Sequence, residues 1–375
     1  MSRRGRSRVH ILFVNHVAYM SGAENSLLHL IAGLDPSQYQ CWAICPPDGP
    51  LIHAFSESGC TVITSEFSKS LPQFTRTILR LNDLIKRHQI DLIHANSIDA
   101  IQYAALAARW RRIPLIGHVR NIVPFRRRGI WLVKQADRLI AVSKATQHSL
   151  VSQGIPAEKV EVIYNGIDPE RYPLSVIGES ANRPQFNLPC GVPLVGSVGR
   201  LHPIKGFVDF LQAARQVIGI IPDAHFAIAG RDPEPRERYF GELTRLMHEL
   251  NLAERVHFLG EIDRINLFLQ SLDVFVLPSL QEPFARAILE AMGCACPIVA
   301  TAVGGTPEAI EDGRHGLLIP PACPDAMASA IIRLLSDREY ATVLGRAARE
   351  RVLAQFSITS NVERTQALYR ELIPA

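Results

Sequence analysis

Arg200 and Lys205 are the two residues whose types and spacing point most directly to chemistry. Arg200 follows a predicted strand, Lys205 comes five residues later, and glycines at 199 and 206 leave room for a ligand beside the backbone. A planar guanidinium and a mobile ammonium together suit a diphosphate, and they would stabilise the charge on a departing nucleoside diphosphate. Two surface cations near a turn are the simpler interpretation, but a position between strand and helix favours a ligand site.

Glu282 and Glu290 are two carboxylates, eight residues apart, that flank the start of a predicted helix. We expect this helix to open at Pro283, a favoured first helical position, and to end at Gly293. A strand-to-helix turn directs free N–H groups and the positive end of the helix dipole at one point, which suits a phosphate or a polar sugar. Glu290 would lie roughly 12 Å of rise from the helix start, too far for both acids to act on one bond.

Three more loops with ligand-binding character follow predicted strands. Gly22 allows close backbone approach after the first strand, although the G-x-G-x-x-G dinucleotide fingerprint is absent there. His118 and Arg120 lie at another strand end, where a ligand role competes with that of an ordinary structural histidine. The adjacent glycines Gly304 and Gly305 precede a helix that begins with proline, and they would form a nest for an oxyanion.

The elements that position these residues form two successive α/β patterns. Short apolar runs alternate with longer amphipathic runs over residues 9–164, and the same rhythm restarts at Pro193. This alternation is typical of β-α-β units and a parallel sheet. The predicted strands are Val9–Val14, Gln40–Cys45, Thr61–Ser65, Asp91–His94, Pro114–His118, Arg138–Val142 and Val160–Tyr164, then Pro193–Val198, His225–Ala229, Val256–Phe258, Asp273–Leu277 and Pro297–Thr301.

The segment Asp168–Gly191 separates the two patterns; it is rich in proline and glycine and indicates a linker. The predicted fold class is α/β, with two Rossmann-like doubly wound parallel-sheet domains. Because ligands of such sheets bind beyond the carboxyl ends of the strands, we expect the domains to face each other across a cleft. The predicted domains are 1–180 and 181–356, and residues 357–375 are expected to form a helix that packs back toward the N-terminal domain.

The composition bounds the class of protein. The chain has 375 residues, of which 47% are hydrophobic and 20% charged, as in a soluble globular protein of two domains. No apolar run approaches the roughly 18 residues of a membrane span, and the apolar run Val9–Val14 is too short for a secretory signal. Seven cysteines without a C-x-x-C pair indicate reduced thiols. We therefore expect a cytoplasmic protein.

Metal ligands are not evident in the sequence. The chain contains no Asp-x-Asp, and its histidines and cysteines show no metal-ligand spacing. We therefore expect no metal, and cationic side chains together with helix dipoles would carry the phosphate charge.

Charge is unevenly distributed along the chain. Residues 1–185 carry 22 Lys and Arg against 14 Asp and Glu, whereas the remainder carries 18 against 22. Within the basic half, residues 120–134 combine five basic side chains with Phe125, Ile130 and Trp131. Such a segment would suit an anionic membrane surface or a phosphorylated acceptor, and an ordinary solvated face is the alternative. A peripheral position on the inner face of the plasma membrane follows from the first interpretation.

Four stretches together resemble the GT-B-fold retaining glycosyltransferases of glycosyltransferase family 4. They are Ala-Val-Ser-Lys-Ala at 141–145, Val-Ile-Tyr-Asn-Gly-Ile-Asp at 162–168, Val-Gly-Arg-Leu-His-Pro-Ile-Lys-Gly at 198–206, and residues 282–290 followed by the glycines at 304 and 305. The resemblance implies a metal-independent enzyme that moves a hexose or N-acetylhexosamine from a nucleotide diphosphate sugar to an acceptor hydroxyl, with retention. It also implies a place in bacterial cell-surface polysaccharide, lipopolysaccharide or glycolipid synthesis.

The resemblance implies a catalytic set of Arg200, Lys205, Glu282 and His118. Arg200 and Lys205 match the pair that holds the donor diphosphate. Glu282 matches a glutamate beside the transferred sugar, and Glu290 matches one that binds the nucleoside ribose. His118 matches a histidine close to the sugar and the acceptor.

Further donor contacts are implied in the same way. Backbone N–H groups of Phe284 and Ala285 would touch the sugar and phosphate, Gly22 would lie near the diphosphate, and Gly230 and Arg231 match another donor-binding loop. The N-terminal domain would bind a saccharide or lipid-linked acceptor, and the C-terminal domain the donor, with a UDP-sugar favoured over a GDP-sugar. No cofactor besides this donor and no nucleic-acid partner is expected.

The sequence departs from the family pattern at three loops. Serine precedes Gly22 where the family often has Gly-Gly, and 230–232 lacks the second glycine of a Gly-x-Gly loop. Ala285 replaces a usual glycine, and its methyl would crowd the donor sugar slightly.

Three rival functions share some of these features. A nucleotide-sugar 2-epimerase of the same fold would interconvert donors without an acceptor. An NAD-dependent oxidoreductase would need the missing G-x-G-x-x-G fingerprint. A nucleotide-sugar-binding protein without turnover would keep the site and lose the chemistry.

Overall fold

The structure, a computed structural model, describes residues 8–68, 70–174, 178, 180–232 and 237–373. The chain divides into two units. The first unit runs to Gly166 and includes the chain from Ile358 onward, and the second unit runs from Ile167 to Ser357. The terminal helix therefore belongs to the first unit, and the boundary that composition placed after residue 180 lies inside the second.

Seven parallel strands build the sheet of the first unit. They are β1 (Val9–Val14), β2 (Tyr39–Cys45), β3 (Thr61–Thr64), β4 (Leu92–Ala95), β5 (Leu115–Val119), β6 (Arg138–Ala141) and β7 (Val160–Val162). Their order across the sheet is β3-β2-β1-β4-β5-β6-β7. The helices of this unit are α1 (Gly22–Ala32), α2 (Leu51–Glu57), α3 (Leu71–Arg87), α4 (Ile98–Arg111), α5 (Arg127–Val133) and α6 (Lys144–Ser152), with a last helix at Ile358–Leu372.

Alternating side chains of β1 show why the first sheet is covered on both faces. Leu12 and Val14 belong to a core shared with α3, α4 and α5, whereas Ile11 and Phe13 belong to a core shared with α1, α2 and the helix Ile358–Leu372. A buried parallel strand is apolar on both faces for this reason. The carboxyl ends of the parallel strands β1, β4 and β5 lie at one edge of the sheet, and the loops that follow them start there.

The second unit has a sheet of six parallel strands. They are β8 (Leu194–Val198), β9 (His225–Ala229), β10 (Val256–Gly260), β11 (Val274–Leu277), β12 (Ile298–Thr301) and β13 (Leu317–Ile319), in the order β10-β9-β8-β11-β12-β13. Its helices are α7 (Phe207–Ile220), α8 (Arg238–Glu249), α9 (Ile265–Gln270), α10 (Arg286–Gly293), α11 (Thr306–Ala309), α12 (Pro324–Ser336) and α13 (Arg338–Gln355). The helix Ile358–Leu372 of the first unit is then α14.

The predicted fold class, two doubly wound parallel-sheet α/β domains, is confirmed. Each predicted strand overlaps an observed one, with ends that differ by a residue or two. The sequence pattern did not predict β13, because it is only three residues long and lies at the edge of the sheet.

The helix expected at Pro283 begins later. The observed α10 runs from Arg286 to Gly293, and Ala285 caps it with an extended backbone. Gly293 is its last helical residue, and a Cβ there would lie 2.7 Å from Ile167 Cδ1, so the glycine serves close packing. Glu290 therefore lies about one turn, roughly 6 Å of rise, from the helix start, and the estimate of two turns was wrong.

Arg183 explains why the described part of the predicted linker belongs to the second unit. Its buried guanidinium donates to the carbonyls of Ser271 and Val192 over 3.0 and 2.6 Å, and it pairs with Asp273 at 2.9 Å. Asp273 also accepts the backbone N–H of Leu194, the first residue of β8. The segment before β8 is thus fixed to the amino ends of β8 and β11.

Candidate active site

Two strand-to-helix turns of the second unit lie in backbone contact. Gly206 has φ +69°, and a Cβ at this position would lie 1.9 Å from the carbonyl oxygen of Pro278. The N–H of Leu280 donates to the carbonyl of Ile204 over 2.8 Å. Only glycine allows both the left-handed backbone and the close approach, so the turn after β8 and the turn after β11 are held side by side.

This contact brings Lys205 and Glu282 together. Lys205 Nζ lies 2.5 Å from Glu282 Oε2, and the side chains are 19% and 7% exposed. The hydroxyl of Ser279 donates to the same carboxylate oxygen over 3.2 Å. A charge-assisted hydrogen bond in such a shielded place is strong. An anionic ligand bound nearby would compete with the Glu282 carboxylate for the Lys205 ammonium.

The glycines after β12 contact Glu282 from the other side. Gly304 has φ +52°, and a Cβ there would lie 1.9 Å from the carbonyl oxygen of Glu282. The N–H of Gly305 donates to that carbonyl over 3.0 Å. This N–H is therefore used inside the protein and fixes the backbone of Glu282, whereas an oxyanion nest at these glycines stays a prediction.

Arg200 presents an exposed side chain on a fixed backbone. The N–H of Leu201 donates to the carbonyl of Arg231 over 2.9 Å, which ties the turn after β8 to the turn after β9. Gly230 has φ +146°, and a Cβ there would lie 1.9 Å from the carbonyl oxygen of Gly199. Gly230 thus serves backbone packing beside Arg200.

Arg231 lies at the surface in an ion pair. Its Nε is 3.6 Å from Glu261 Oε2, and both side chains are mostly exposed. Exposed pairs of this kind contribute little to stability, so Arg231 is held only weakly. The structure leaves its expected donor contact as a prediction.

Glu290 forms a separate ionic pair inside α10. Arg286 Nε donates to Glu290 Oε1 over 2.6 Å, and both side chains are nearly buried. Burial and the nearby Glu290 carboxylate raise the pKa of Tyr172, so its hydroxyl stays protonated beside this pair. The sequence reading missed Arg286 and Tyr172. The spacing of four residues between Arg286 and Glu290 on a helix is the signal that could have indicated the first of them.

Phe284 and Ala285 form the end of the turn that precedes α10. Both are buried, and the ring of Phe284 lies 5.5 Å from that of Phe356. Ala285 caps α10 without a side-chain hydrogen bond. The helix therefore starts in the turn that also carries Glu282.

In the first unit, Gly22 is the first residue of α1. The hydroxyl of Ser21 accepts from the N–H of Ala23 and donates to Glu24, so the helix begins with a capping interaction. Gly22 therefore lies at a capped helix N-terminus directly after the loop that follows β1.

His118 lies in β5 and is 1% exposed. Its Nδ1 is 3.3 Å from Arg120 Nη2 and 3.3 Å from His94 Nε2. Burial, the Arg120 charge and His94 hold its pKa well below the usual value, so the imidazole is neutral. The Nε2 atom is buried and makes no hydrogen bond to any described residue. An orphaned polar atom at a strand end suggests a ligand.

Arg120 belongs to a buried polar network and not to the exposed basic segment that the sequence predicted. Its Nε and Nη1 donate to Asn96 and Asn165 over 2.8 and 3.0 Å, and Asn96 donates to Asn15 over 3.1 Å. These residues follow four different strands. Applied to Asn15 and Asn96, the strand-end argument used for His118 would have indicated them.

The remaining basic segment forms part of a wider exposed surface, here called the basic face. Arg128 lies over the ring of Phe74 at 5.4 Å, and α4 packs against both α3 and α5. The basic face comprises Arg76, Arg80, Arg109, Trp110, Arg112, Arg126, Arg127, Arg128 and Trp131, all exposed. Among the described residues, none of the helices combines the length and apolar character that a bilayer-spanning segment requires.

The second unit therefore brings Lys205 and Glu282 into direct contact, and Glu290 is paired elsewhere on α10. His118 and Gly22 belong to the first unit, at the edge of its own sheet. Within the described ranges, no group of three or more His, Cys, Asp or Glu residues could hold a metal ion.

Two family models match the chain. The model described as Glycosyltransferase Family 4 matches residues 20–171, and the model described as Glycosyl transferases group 1 matches residues 192–337. The second range contains Arg200, Lys205, Glu282 and Glu290.

Curated relatives are similar over much of the chain. One is the UDP-Gal:alpha-D-GlcNAc-diphosphoundecaprenol alpha-1,3-galactosyltransferase of Escherichia coli, 25% identical over an alignment that covers 98% of this chain and 98% of that protein. Another is the D-inositol 3-phosphate glycosyltransferase of Mycolicibacterium smegmatis, 32% identical over 76% of this chain and 62% of that protein.

Solved structures are similar to the chain over nearly its whole length. HepE of Anabaena in complex with UDP-glucose has a TM-score of 0.88 and 26% identity, over 97% of this chain and 100% of that one. The same protein in complex with UDP has a TM-score of 0.87 over the same shares of the two chains, also at 26% identity. Both family models, the relatives and the two parallel sheets agree, and the chain belongs to the GT-B-fold glycosyltransferases of family 4.

Proposed function

We propose that this glycosyltransferase moves a hexose or N-acetylhexosamine from a UDP-sugar to an acceptor hydroxyl, with retention at the anomeric carbon and without a metal ion. The relative from Escherichia coli is named for a UDP-Gal donor, and HepE was crystallised with UDP and with UDP-glucose. The similarity supports UDP over GDP as the nucleotide.

The contact between Lys205 and Glu282 is the observation that carries the proposal. Their 2.5 Å pair lies between two strand-to-helix turns of the second unit, where ligands of such sheets bind. A donor diphosphate would share Lys205 with Glu282, and Glu282 would then accept hydrogen bonds from hydroxyls of the sugar. Arg200, exposed on the same turn as Lys205, would supply a second cation to the phosphates.

The chemistry requires one bond to break and one to form. The bond between the anomeric carbon and the phosphate oxygen breaks, and the acceptor oxygen bonds to that carbon on the face that the diphosphate leaves. The acceptor proton passes to the departing phosphate oxygen. Lys205 and Arg200 would stabilise the negative charge that develops there, as fixed cations do in other transfer reactions.

Glu290 would bind the nucleoside ribose after exchanging part of its contact with Arg286. The pair holds the carboxylate in place at about one turn inside α10, and hydroxyls of a ribose are suitable partners for its second oxygen. His118, whose Nε2 has no hydrogen-bond partner among the described residues, would contact the sugar or the acceptor.

A thermal screen followed by product analysis tests the proposal. UDP, UDP-sugars, GDP-sugars and ADP-sugars would be compared for protection against thermal unfolding, because a ligand of the folded state raises its stability. The best donor would then be incubated with candidate acceptors, and the anomeric configuration of the product read by NMR.

Protection by GDP-sugars alone, or inversion in the product, would contradict the proposal. Interconversion of donors without an acceptor would identify the 2-epimerase instead. Retained activity in excess EDTA is expected.

The basic face supports an acceptor at an anionic membrane surface, as in glycolipid or cell-surface polysaccharide synthesis. It presents seven arginines with the exposed indoles of Trp110 and Trp131. Arginine attracts anionic headgroups, and tryptophan prefers the boundary between headgroups and acyl chains. The relative from Escherichia coli is named for a diphosphoundecaprenol-linked acceptor.

Vesicle co-sedimentation at low salt tests this surface. We expect binding to vesicles with anionic lipid, weakened about fivefold for each arginine of the basic face that is removed, starting with Arg126→Ala and Arg127→Ala. Arg346→Ala, at an exposed position of α13, is the matched control. Absence of binding to anionic vesicles, or equal weakening by the control, would remove the membrane part of the proposal.

A further inference from the structure

A buried chain of side chains links α14 to His118. The hydroxyl of Tyr369 lies 2.6 Å from His94 Nδ1, and His94 Nε2 lies 3.3 Å from His118 Nδ1. Tyr369, His94 and His118 are all 1% exposed or less. The chain ends at His118 Nε2, which is buried and has no hydrogen-bond partner among the described residues.

Arg120 determines the direction of this chain. A guanidinium can only donate, and Arg120 Nη2 lies 3.3 Å from His118 Nδ1. If Nδ1 carried the proton, two N–H groups would face each other, so Nδ1 is the acceptor. Because the pKa of His118 is lowered by burial and by Arg120, the ring is neutral and its one proton is on Nε2.

The same reasoning extends to His94 and Tyr369. If His94 Nε2 were unprotonated, two lone pairs would face each other, so His94 Nε2 donates and His118 Nδ1 shares its one lone pair between Arg120 and His94. His94 Nδ1 is then left as an acceptor. Burial lowers the pKa of His94 to about 3, and burial raises the pKa of Tyr369 well above its usual value. Tyr369 is therefore a protonated hydroxyl that donates to His94.

We propose that Tyr369 and His94 are positioning residues that hold His118 as the neutral Nε2–H tautomer, so that His118 donates a hydrogen bond to a lone pair of the bound substrate. The partner is an oxygen of a sugar hydroxyl or of a phosphate. His118 is then a donor and not a general base. The substrate part of this inference rests on the proposed function, whereas the tautomer does not.

The tautomer is read directly by 15N NMR of histidine-labelled protein without ligand, with His118→Gln to assign the signal. We expect a protonated Nε2 and an unprotonated Nδ1 for His118. Tyr369→Phe removes the hydroxyl and should shift this signal toward a mixture of tautomers. Tyr103→Phe removes the hydroxyl of a buried tyrosine in the core on the other face of the same sheet and should leave the signal unchanged.

Variants at His94 separate positioning from packing. A glutamine can accept from Tyr369 with its oxygen and donate to His118 with its nitrogen, so His94→Gln should preserve the tautomer. His94→Leu keeps a side chain of roughly similar volume but can neither accept a hydrogen bond from Tyr369 nor donate one to His118. The NMR signal of His118 should then show a mixture of tautomers. Sugar transfer should follow the NMR signal, with kcat/KM about five- to tenfold lower in Tyr369→Phe and His94→Leu than in His94→Gln.

The outcomes are distinct. A proton on Nδ1 of His118 in the native protein, or an unchanged signal in both Tyr369→Phe and His94→Leu, would overturn the proposal. If the tautomer changes as expected while transfer is unaffected, the substrate contact of His118 is overturned and the tautomer assignment is supported. If no sugar donor is used at all, the proposed function fails, and the NMR result decides the tautomer independently.

Discussion

At the scale of single residues, the ionic contact between Lys205 and Glu282 has to satisfy two demands. It must hold both charges in a shielded turn, and under the proposed function it must also release the ammonium to a diphosphate. Each partner removed alone leaves the other charge without its counterion, which costs more than the net value of the pair.

A double-mutant cycle tests this contact. We expect Lys205→Met to lower the free energy of unfolding by about 1–3 kcal/mol, because it leaves the Glu282 carboxylate nearly buried and without its cation. Glu282→Gln alone should also destabilise, and the double variant should cost less than the two single changes together. Chemical denaturation gives these values. Lys86→Met, at an exposed position of α3, should change stability by less than about 0.5 kcal/mol. Strict additivity would show that the pair is not coupled.

Arg200 has a separate test, because its side chain is exposed and contributes little to the fold. We expect Arg200→Ala to lower kcat by about 100-fold or more while stability stays near that of the native protein, since in the proposed function its charge acts on the departing diphosphate. Arg215→Ala, at an exposed position of α7 in the same unit, is the control. Steady-state kinetics with the best donor provide the measurement, and near-normal turnover of Arg200→Ala would exclude the assigned role.

Single residues of the candidate site differ in how far the sequence could predict them. Arg200, Lys205 and Glu282 could be selected because they follow strands of a recognisable α/β pattern. Tyr369 could not, because 275 residues separate it from His94 and no local pattern indicates that they meet. His94 lies in a strand end and carried the same signal as His118, but a buried histidine is usually structural.

At the scale of elements, glycines at positive φ set the positions of the turns. Gly206 and Gly304 each lie within contact distance of a carbonyl on the turn after β11. The sequence predicted these glycines as space for a ligand. In the structure, the absence of a Cβ atom lets each glycine pack against a carbonyl group of the turn after β11. These contacts between turns position the candidate ligand site.

Gly206→Ala should therefore disrupt the site. A Cβ would lie 1.9 Å from the carbonyl oxygen of Pro278, and the backbone is left-handed, so we expect a loss of more than about 3 kcal/mol in the free energy of unfolding. Thermal protection by UDP should also be lost. The matched control is Gly219→Ala in α7, where a Cβ meets nothing within 4 Å, and it should stabilise by up to about 1 kcal/mol. Equal stability of the two variants would contradict this account of the turns.

The first residue of α10 is where local sequence rules gave a wrong prediction. Proline is favoured at the first helical position, yet Pro283 lies in the turn, and the helix begins at Arg286. Glu282 is held by the contact of its side chain with Lys205 and by the contact of its carbonyl with Gly305. These contacts keep the residues before Arg286 out of helical geometry. Tertiary contacts of this kind do not leave a periodic pattern.

At the scale of the whole molecule, the repeated α/β rhythm predicted both sheets, because that pattern is local. The limits of the two units follow from long-range contacts instead. Arg183 fixes the segment before β8 to the second unit, and α14 returns to the first unit, where Asn361 donates to the carbonyl of Tyr164 over 2.6 Å. These contacts leave no local pattern, so the prediction depended on proline and glycine content alone and placed the boundary after residue 180, whereas the units divide after Gly166.

Buried neutral histidines make the stability of both units depend on pH. Burial lowers the pKa of His94 and His118 in the first unit and of His225, His257 and His315 in the second. An unfolded histidine has a pKa near 6.5, so below that pH the unfolded chain binds more protons than the folded one. The contribution of these groups is complete above about pH 6.5, and it is lost as the pH falls toward the folded values.

His94 provides the sharpest measurement of this dependence. Its pKa is lowered to about 3, so at pH 5 the first unit should be about 2 kcal/mol less stable than at pH 8 through this group alone. All three tryptophans, Trp42, Trp110 and Trp131, belong to the first unit, so urea unfolding followed by their fluorescence reports on that unit. We expect His94→Gln to lose about 2 kcal/mol less than the native protein between pH 8 and pH 5. His53→Gln, at an exposed position, should follow the native protein. Identical pH dependence in His94→Gln and the native protein would mean that folding does not change the pKa of His94.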